Sequence, residues 1–239
     1  INPDPSVYPV TDLSICNGIA SSEINISGNT PGATYSWSNS NTTIGLPGVG
    51  NGNIPIFIGT NSTLSSILGT VSLTPSFTDH GLTCLGQQET FEIQINPTPK
   101  LDILDTAICS GEFTNLLLTA DIQSSFEWNA VSNLEVYGET SNPIQNTILI
   151  NDELTHYSTL PQNIQYQITP TSIPHGCVGE IEFVEVIEGL TQMSGINNNF
   201  FERNINIISK NSVSKTKSFK IKTITFDQVL SKNSKIDYL

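Results

Sequence analysis

Four cysteines are the residues best placed to do chemistry, and their spacing is regular. Cys16 to Cys84 and Cys109 to Cys177 are both intervals of 68 residues. Thiols can cross-link or bind a soft metal. A zinc site would need His80 or His175 beside them, but the cysteines do not form C-x-x-C pairs and each half offers one such histidine, so four ligands are hard to assemble. Disulfides suit the pattern better, one within each repeat: Cys16–Cys84 and Cys109–Cys177. Four cysteines allow three pairings, and internal symmetry favours this one. A loop of that length would stabilise the chain by about 4 kcal/mol in the chain-entropy model. Such bridges imply an oxidising compartment, at the cell surface or outside it; the alternative is buried free thiols in a cytosolic protein.

The cysteines mark a repeat. "DLSICNG" (12–18) matches "DTAICSG" (105–111), and "ATYSWSN" (33–39) matches "SSFEWNA" (124–130), which makes Trp37 and Trp128 equivalent. "VSLTPS" (71–76) matches "YQITPT" (166–171), "HGLTCLG" (80–86) matches "IPHGCVG" (173–179), and "FEIQINPTP" (91–99) matches "EFVEVIEG" (182–189) more loosely. Landmarks in the same order make a tandem array the first reading.

Each unit reads as short strands between turn residues. Tyr35 with Trp37, Phe126 with Trp128, and Phe91, Ile93 and Ile95 alternate, which puts each set on one face of a strand. About seven strands in about 90 residues describes a β-sandwich, with Trp37 and Trp128 as core aromatics rather than ligand platforms. The fold class expected is all-β, two tandem sandwiches over 1–97 and 98–187, then a short incomplete α/β segment over 188–239. The linker "NPTPK" (96–100) is stiffened by Pro97 and Pro99. The opening "INPDPSVYPVTDLSICNG" reads as the tail of one strand and a linker, as if cut from a longer protein.

Charge divides the chain at the same place. Residues 1–187 carry 18 Asp and Glu against Lys100 alone, a net of −17; residues 188–239 carry eight Lys and Arg against four Asp and Glu, a net of +4; the whole is −13. So acidic a first part repels nucleic acid and anionic lipid. No clustered D-x-D-x-D loop supports calcium. No stretch is long and apolar enough to span a membrane. The sequence contains no G-x-S-x-G, no H-E-x-x-H, no P-loop and no G-x-G-x-x-G. "GVGNGN" (48–53) lacks the lysine and helix of a phosphate loop, and Asp79–His80 lacks an identifiable nucleophile. The expectation is no catalytic residue, no cofactor and no metal.

The order "DLSICNG", "YSWSNSNTTIGLPGVGNGNIPIFIGTN", "GTVSLTPSF", "CLGQQETFEIQINPTP" resembles the PKD-like domain of large surface proteins of Bacteroidetes. The first repeat carries the Gly-rich run after Trp37 in full; the second keeps Trp128 and Asn129 but not the run. The resemblance implies tandem Ig-like modules in an exported protein, with a spacer or adhesive role. Its partners would be other repeats of the same larger protein, and surface glycans or proteins.

The tail reads differently. It has a helix-compatible stretch at 196–203, a strand at 219–225, a short helix "FDQVLSKN" that Asp227 could cap, and "KIDYL" entering another strand. "TQMSGI", "IKTITFDQVL" and "KIDYL" resemble FkbM-type methyltransferases, which use S-adenosylmethionine. The Gly-rich cofactor loop and the acidic D-x-E-G stretch of that family are both missing. The alternatives to a structural module are thus a methyltransferase fragment joined to a surface segment, and a carbohydrate-binding accessory module.

Overall fold

The structure, a computed structural model, describes residues 3–189; the readings made for 188–239, including the strand at 219–225 and the Asp227 cap, lie outside the described residues from 190 onward. The chain forms two β-sandwiches in tandem, each with its own apolar core.

The first contains β1 (Leu13–Cys16), β2 (Thr34–Asn39), β3 (Val49–Asn51), β4 (Ile67–Asp79), β5 (Leu82–Leu85) and β6 (Glu89–Asn96). They make one sheet in the order β1-β6-β4-β2-β3, with β5 also on β4. Among the described residues the facing layer is paired by isolated bridges, Val7 to Gly28, Ala20 to Ile58 and Ile24 to Ile54, with Ser21 N also donating to the Phe57 carbonyl at 2.8 Å. Residues 22–28 therefore form no ladder strand. Their backbone exchanges two hydrogen bonds with Ile54 through Ile24, each 3.0 Å, and Ile26 N donates to Asn53 Oδ1 at 3.0 Å.

The second contains β7 (Thr106–Cys109), β8 (Glu112–Phe113), β9 (Leu116–Leu117), β10 (Ser124–Val131), β11 (Val136–Tyr137), β12 (Ile144–Gln145), β13 (Leu149–Ile150), β14 (Glu153–His156), β15 (Gln162–Ser172) and β16 (Glu182–Gly189). Its main sheet runs β12-β10-β15-β16-β7, and the opposite layer is made of β11-β14-β8 and β13-β9. In both sandwiches the first strand pairs parallel with the last: Cys16 lies opposite Asn96, and Cys109 opposite Gly189.

Alternation explains which face is buried. Phe91, Ile93 and Ile95 on β6 and Ile164, Tyr166 and Ile168 on β15 are nearly or fully inaccessible, while their neighbours are more open. Full burial of such side chains is worth about 1.5–3 kcal/mol each. Trp37 and Trp128 are both core residues. The Gly-rich run serves the first of them: Gly50 lies opposite Trp37 in the β2–β3 pair, and a Cβ there would sit 2.0 Å from the indole Cζ2. Gly50 thus lets a strand lie flat on a tryptophan.

The second core holds a polar network around Asp152. Trp128 meets Tyr166 edge-on, with centroids 5.9 Å apart. The Tyr166 hydroxyl donates to Asp152 Oδ2 at 2.7 Å, and Asp152 also accepts from Thr140 N at 2.8 Å and Thr140 Oγ1 at 2.7 Å. A buried carboxylate is tolerable because its lone pairs are used. Tyr166→Phe is expected to cost about 1 kcal/mol, and Asp152→Ala about 3 kcal/mol because it strands the buried donors. Burial first, then the hydrogen bond to Asp152 and the charges of Asp152 and Glu139, push the Tyr166 hydroxyl well above its ordinary range. Its stabilisation is therefore complete below the unfolded value of about 10 and is lost as pH rises beyond it. Urea titrations should show this alkaline fall in the parent chain and a shallower one in Tyr166→Phe; equal slopes would contradict it.

Candidate functional site

The chemistry read in the sequence converges on the junction between the sandwiches. One disulfide joins Cys16, at the end of β1, to Cys177, in the loop between β15 and β16, across 161 residues of sequence. Cys84 and Cys109 are free thiols, each half-buried. The expected pairs Cys16–Cys84 and Cys109–Cys177 do not form.

Strand direction is the reason. The parallel β1–β6 pair carries Cys16 to the trailing end of the first sandwich, level with Asn96, where the chain leaves. Cys84 lies opposite Phe77, near the far end of β4. Ile67 pairs with Ile95 at the trailing end, so Phe77 is ten residues further along β4, about 33 Å at strand rise. Disulfide Cα atoms must approach within about 7 Å. The same holds in the second sandwich, where Cys109 lies level with Gly189 and Cys177 hydrogen-bonds Ser172, at the opposite end of β15.

The two ends that do meet are the trailing end of the first sandwich and the leading end of the second. Around the bridge, Ser66 Oγ lies 3.3 Å from His175 Nε2, and Asn17 Nδ2 donates to Thr98 Oγ1 at 3.4 Å. Asn96 is buried, with Ser66 Oγ donating to its Oδ1 at 2.7 Å and its Nδ2 donating to Ser14 Oγ at 2.9 Å. Pro97 and Pro99 of the linker are both buried. Gly179 is packed so closely on the linker that a Cβ would fall 2.3 Å from the Pro99 carbonyl oxygen. His175 is therefore a contact residue of the joint, and Cys177, being oxidised, is no thiolate for zinc. Among the described residues no group of three or more His, Cys, Asp or Glu side chains could hold a metal ion.

Other residues singled out by type lie apart from the joint. Asp79 and His80 touch each other at 2.9 Å on a solvent-exposed turn, where His80 and Gly81 both take positive φ, as a two-residue hairpin requires. Phe126, Trp37 and Trp128 are buried and Tyr35 partly so, so none presents a face to a ligand. Two tyrosines that sequence reading passed over do: Tyr137 and Tyr157 are 54% and 88% exposed, with ring centroids 5.8 Å apart. No alternation signal marks them, because they lie on and beyond short strands. No helix among the described residues is long and apolar enough to cross a membrane.

This arrangement defines a class: tandem immunoglobulin-like β-sandwiches fixed end to end. Within that class, residues 106–187 match the PKD-like domain family. The match falls on the second repeat, although the motif-rich run belongs to the first. No curated protein matches the chain in sequence. Among solved structures it is similar to the IG1+IG2 segment of DIP-gamma (11% identity, 80% of this chain and 99% of that one, TM-score 0.37). It is also similar to mouse cadherin-23 EC22–24 (12%, 79% and 67%, 0.41) and to fibronectin(III)-like modules of Clostridium thermocellum CbhA (13%, 81% and 98%, 0.28).

The Cys109 thiol differs from an ordinary surface cysteine. Burial pushes the Cys109 thiol up, and the Glu112 carboxylate, which accepts from Cys109 N at 3.2 Å, adds to the shift. Less thiolate at a given pH means slower attack on an alkylating reagent. Glu112→Gln is expected to speed iodoacetamide labelling of Cys109 about threefold at neutral pH. Peptide-resolved mass spectrometry would measure it; an unchanged rate would show that the carboxylate does not act on the thiol.

Proposed function

We propose that this chain is a non-enzymatic spacer or adhesive segment of an exported bacterial surface protein, built of two PKD-like modules, 1–97 and 98–187, ahead of a segment over 188–239. The observation that carries this reading is the Cys16–Cys177 bridge, which spans the joint between the modules. A covalent link there does nothing for a catalytic pocket, but it removes the freedom with which two domains on a short linker would otherwise swing. The bridge also favours an oxidising compartment. The PKD-like match and the expected Bacteroidetes origin fit a surface array. Residues 188–239 are read as a fragment of an FkbM-type methyltransferase without its cofactor-binding parts, so calorimetry with S-adenosylmethionine should register no heat of binding.

Rigidity is the property to measure. Spin labels placed one on each module should give a narrow distance distribution in the oxidised chain and a broad one in the Cys16→Ser, Cys177→Ser double variant. A broad distribution in the oxidised chain would remove the spacer reading.

The exposed Tyr137–Tyr157 pair favours a second reading, in which an adhesive surface stacks on sugar rings. A glycan array should then show binding that Tyr137→Ala and Tyr157→Ala each reduce at least tenfold. A blank array would leave the spacer function standing alone.

A further inference from the structure

The bridge seen here joins two positions that each module possesses, and it uses only half of them. A shift of 93 residues carries Cys16 onto Cys109, Asn96 onto Gly189, and Cys84 onto Cys177. The first module therefore contributes its trailing cysteine and leaves its leading one, Cys84, free; the second contributes its leading cysteine and leaves its trailing one, Cys109, free.

The surroundings of the unused halves are built like those of the used ones. At the leading ends, Gly179 N donates to the Pro170 carbonyl and Gly86 N to the Pro75 carbonyl. The linker carbonyl of Pro99 lies against Gly179 and that of Pro5 against Gly86, close enough in both cases to forbid a Cβ. The sequence "INPDP" at 1–5 repeats "INPTP" at 95–99. At the trailing ends, Asn61 N donates to Asn17 Oδ1 at 2.8 Å, and His156 N donates to Ser110 Oγ at 3.1 Å. Asn61 Nδ2 donates to the Ile95 carbonyl, while His156 Nε2 lies 3.3 Å from the Gly189 carbonyl.

The second trailing end differs from the first in holding buried polar atoms that are unpaired among the described residues. His156 is 6% exposed and Glu188 is fully buried. His156 Nδ1 and both Glu188 carboxylate oxygens find no hydrogen-bond partner among the described residues. Buried polar atoms of this kind are costly to leave unpaired. They lie beside Cys109: Glu188 is opposite Ile108 in the β7–β16 pair, and His156 is bonded through its backbone to Ser110.

We infer that Cys109 and Cys84 are complementary halves of the same head-to-tail bridge, and that the trailing end of the second sandwich takes the leading hairpin of another module of this kind, supplied in the isolated chain by a second copy. Each new bond forms as two thiols give up two protons and two electrons to a small disulfide oxidant, such as oxidised glutathione, which leaves as two thiols. Because the two surfaces differ, the contact is heterologous and adds copies head to tail. The idea deepens the spacer reading, but its failure would leave the stapled pair of modules intact.

The experiment is oxidation of the full chain at high concentration in a glutathione redox buffer, read by non-reducing electrophoresis and cross-linked peptide mapping. A ladder of multiples of 25.9 kDa is expected, with Cys84–Cys109 as its linking peptide and Cys16–Cys177 retained throughout. Cys84→Ser and Cys109→Ser should each stay monomeric alone. Mixed together they should give one dimer and nothing larger, since each supplies the half that the other lacks. Absence of any ladder, a Cys84–Cys84 or Cys109–Cys109 link, or dimers from either variant alone would overturn the inference. Finding Cys16–Cys177 in each variant shows that the fold survived the substitution.

Discussion

The architecture depends on one pairing, the parallel contact of the first strand with the last in each sandwich. An antiparallel first strand would end where the module begins. The parallel one ends where the chain departs, and so delivers Cys16 and Cys109 to the trailing ends. The leading ends are fixed by the hairpin or loop that follows the longest strand, which holds Cys84 and Cys177. From these two placements follow the geometry of the joint, the failure of any bridge inside one sandwich, and the asymmetry of the free thiols.

Much of the fold was legible because it rests on period-two alternation. Tyr35 and Trp37, Phe126 and Trp128, and Phe91, Ile93 and Ile95 lie on the faces their spacing assigns. The equal cysteine intervals revealed the repeat but misled about the bonds. A translational repeat brings the trailing end of one unit against the leading end of the next, so the 68-residue interval spans the length of a module rather than a bond. Strand direction decides between these, and alternation carries no information on whether the first strand runs with or against the last.

Other features were invisible for local reasons. Nothing near Asp152 distinguishes it from the acidic residues that cover the surface, yet Tyr166, fourteen positions on, turns it into a buried acceptor. The sequence sets "GVGNGN" aside as a phosphate loop without showing its use. Its use is steric, since Gly50 is where the chain passes over an indole. Short strands such as β8, β9 and β11 are too brief for a period to show.

The bridge also has a consequence for mechanical load. Tension entering ahead of Cys16 and leaving beyond Cys177 has a shorter covalent path than the backbone, because it crosses directly from β1 to the strand that follows the second cysteine. The chain between them, a sequence separation of 161 that contains most of both cores, is then bypassed. While the sulfur bond holds, pulling the chain cannot pay out that length, and the two sandwiches can be loosened by heat or denaturant but not drawn into extended thread by force. Reduction would restore the full contour, so redox state would set how far such a segment can stretch.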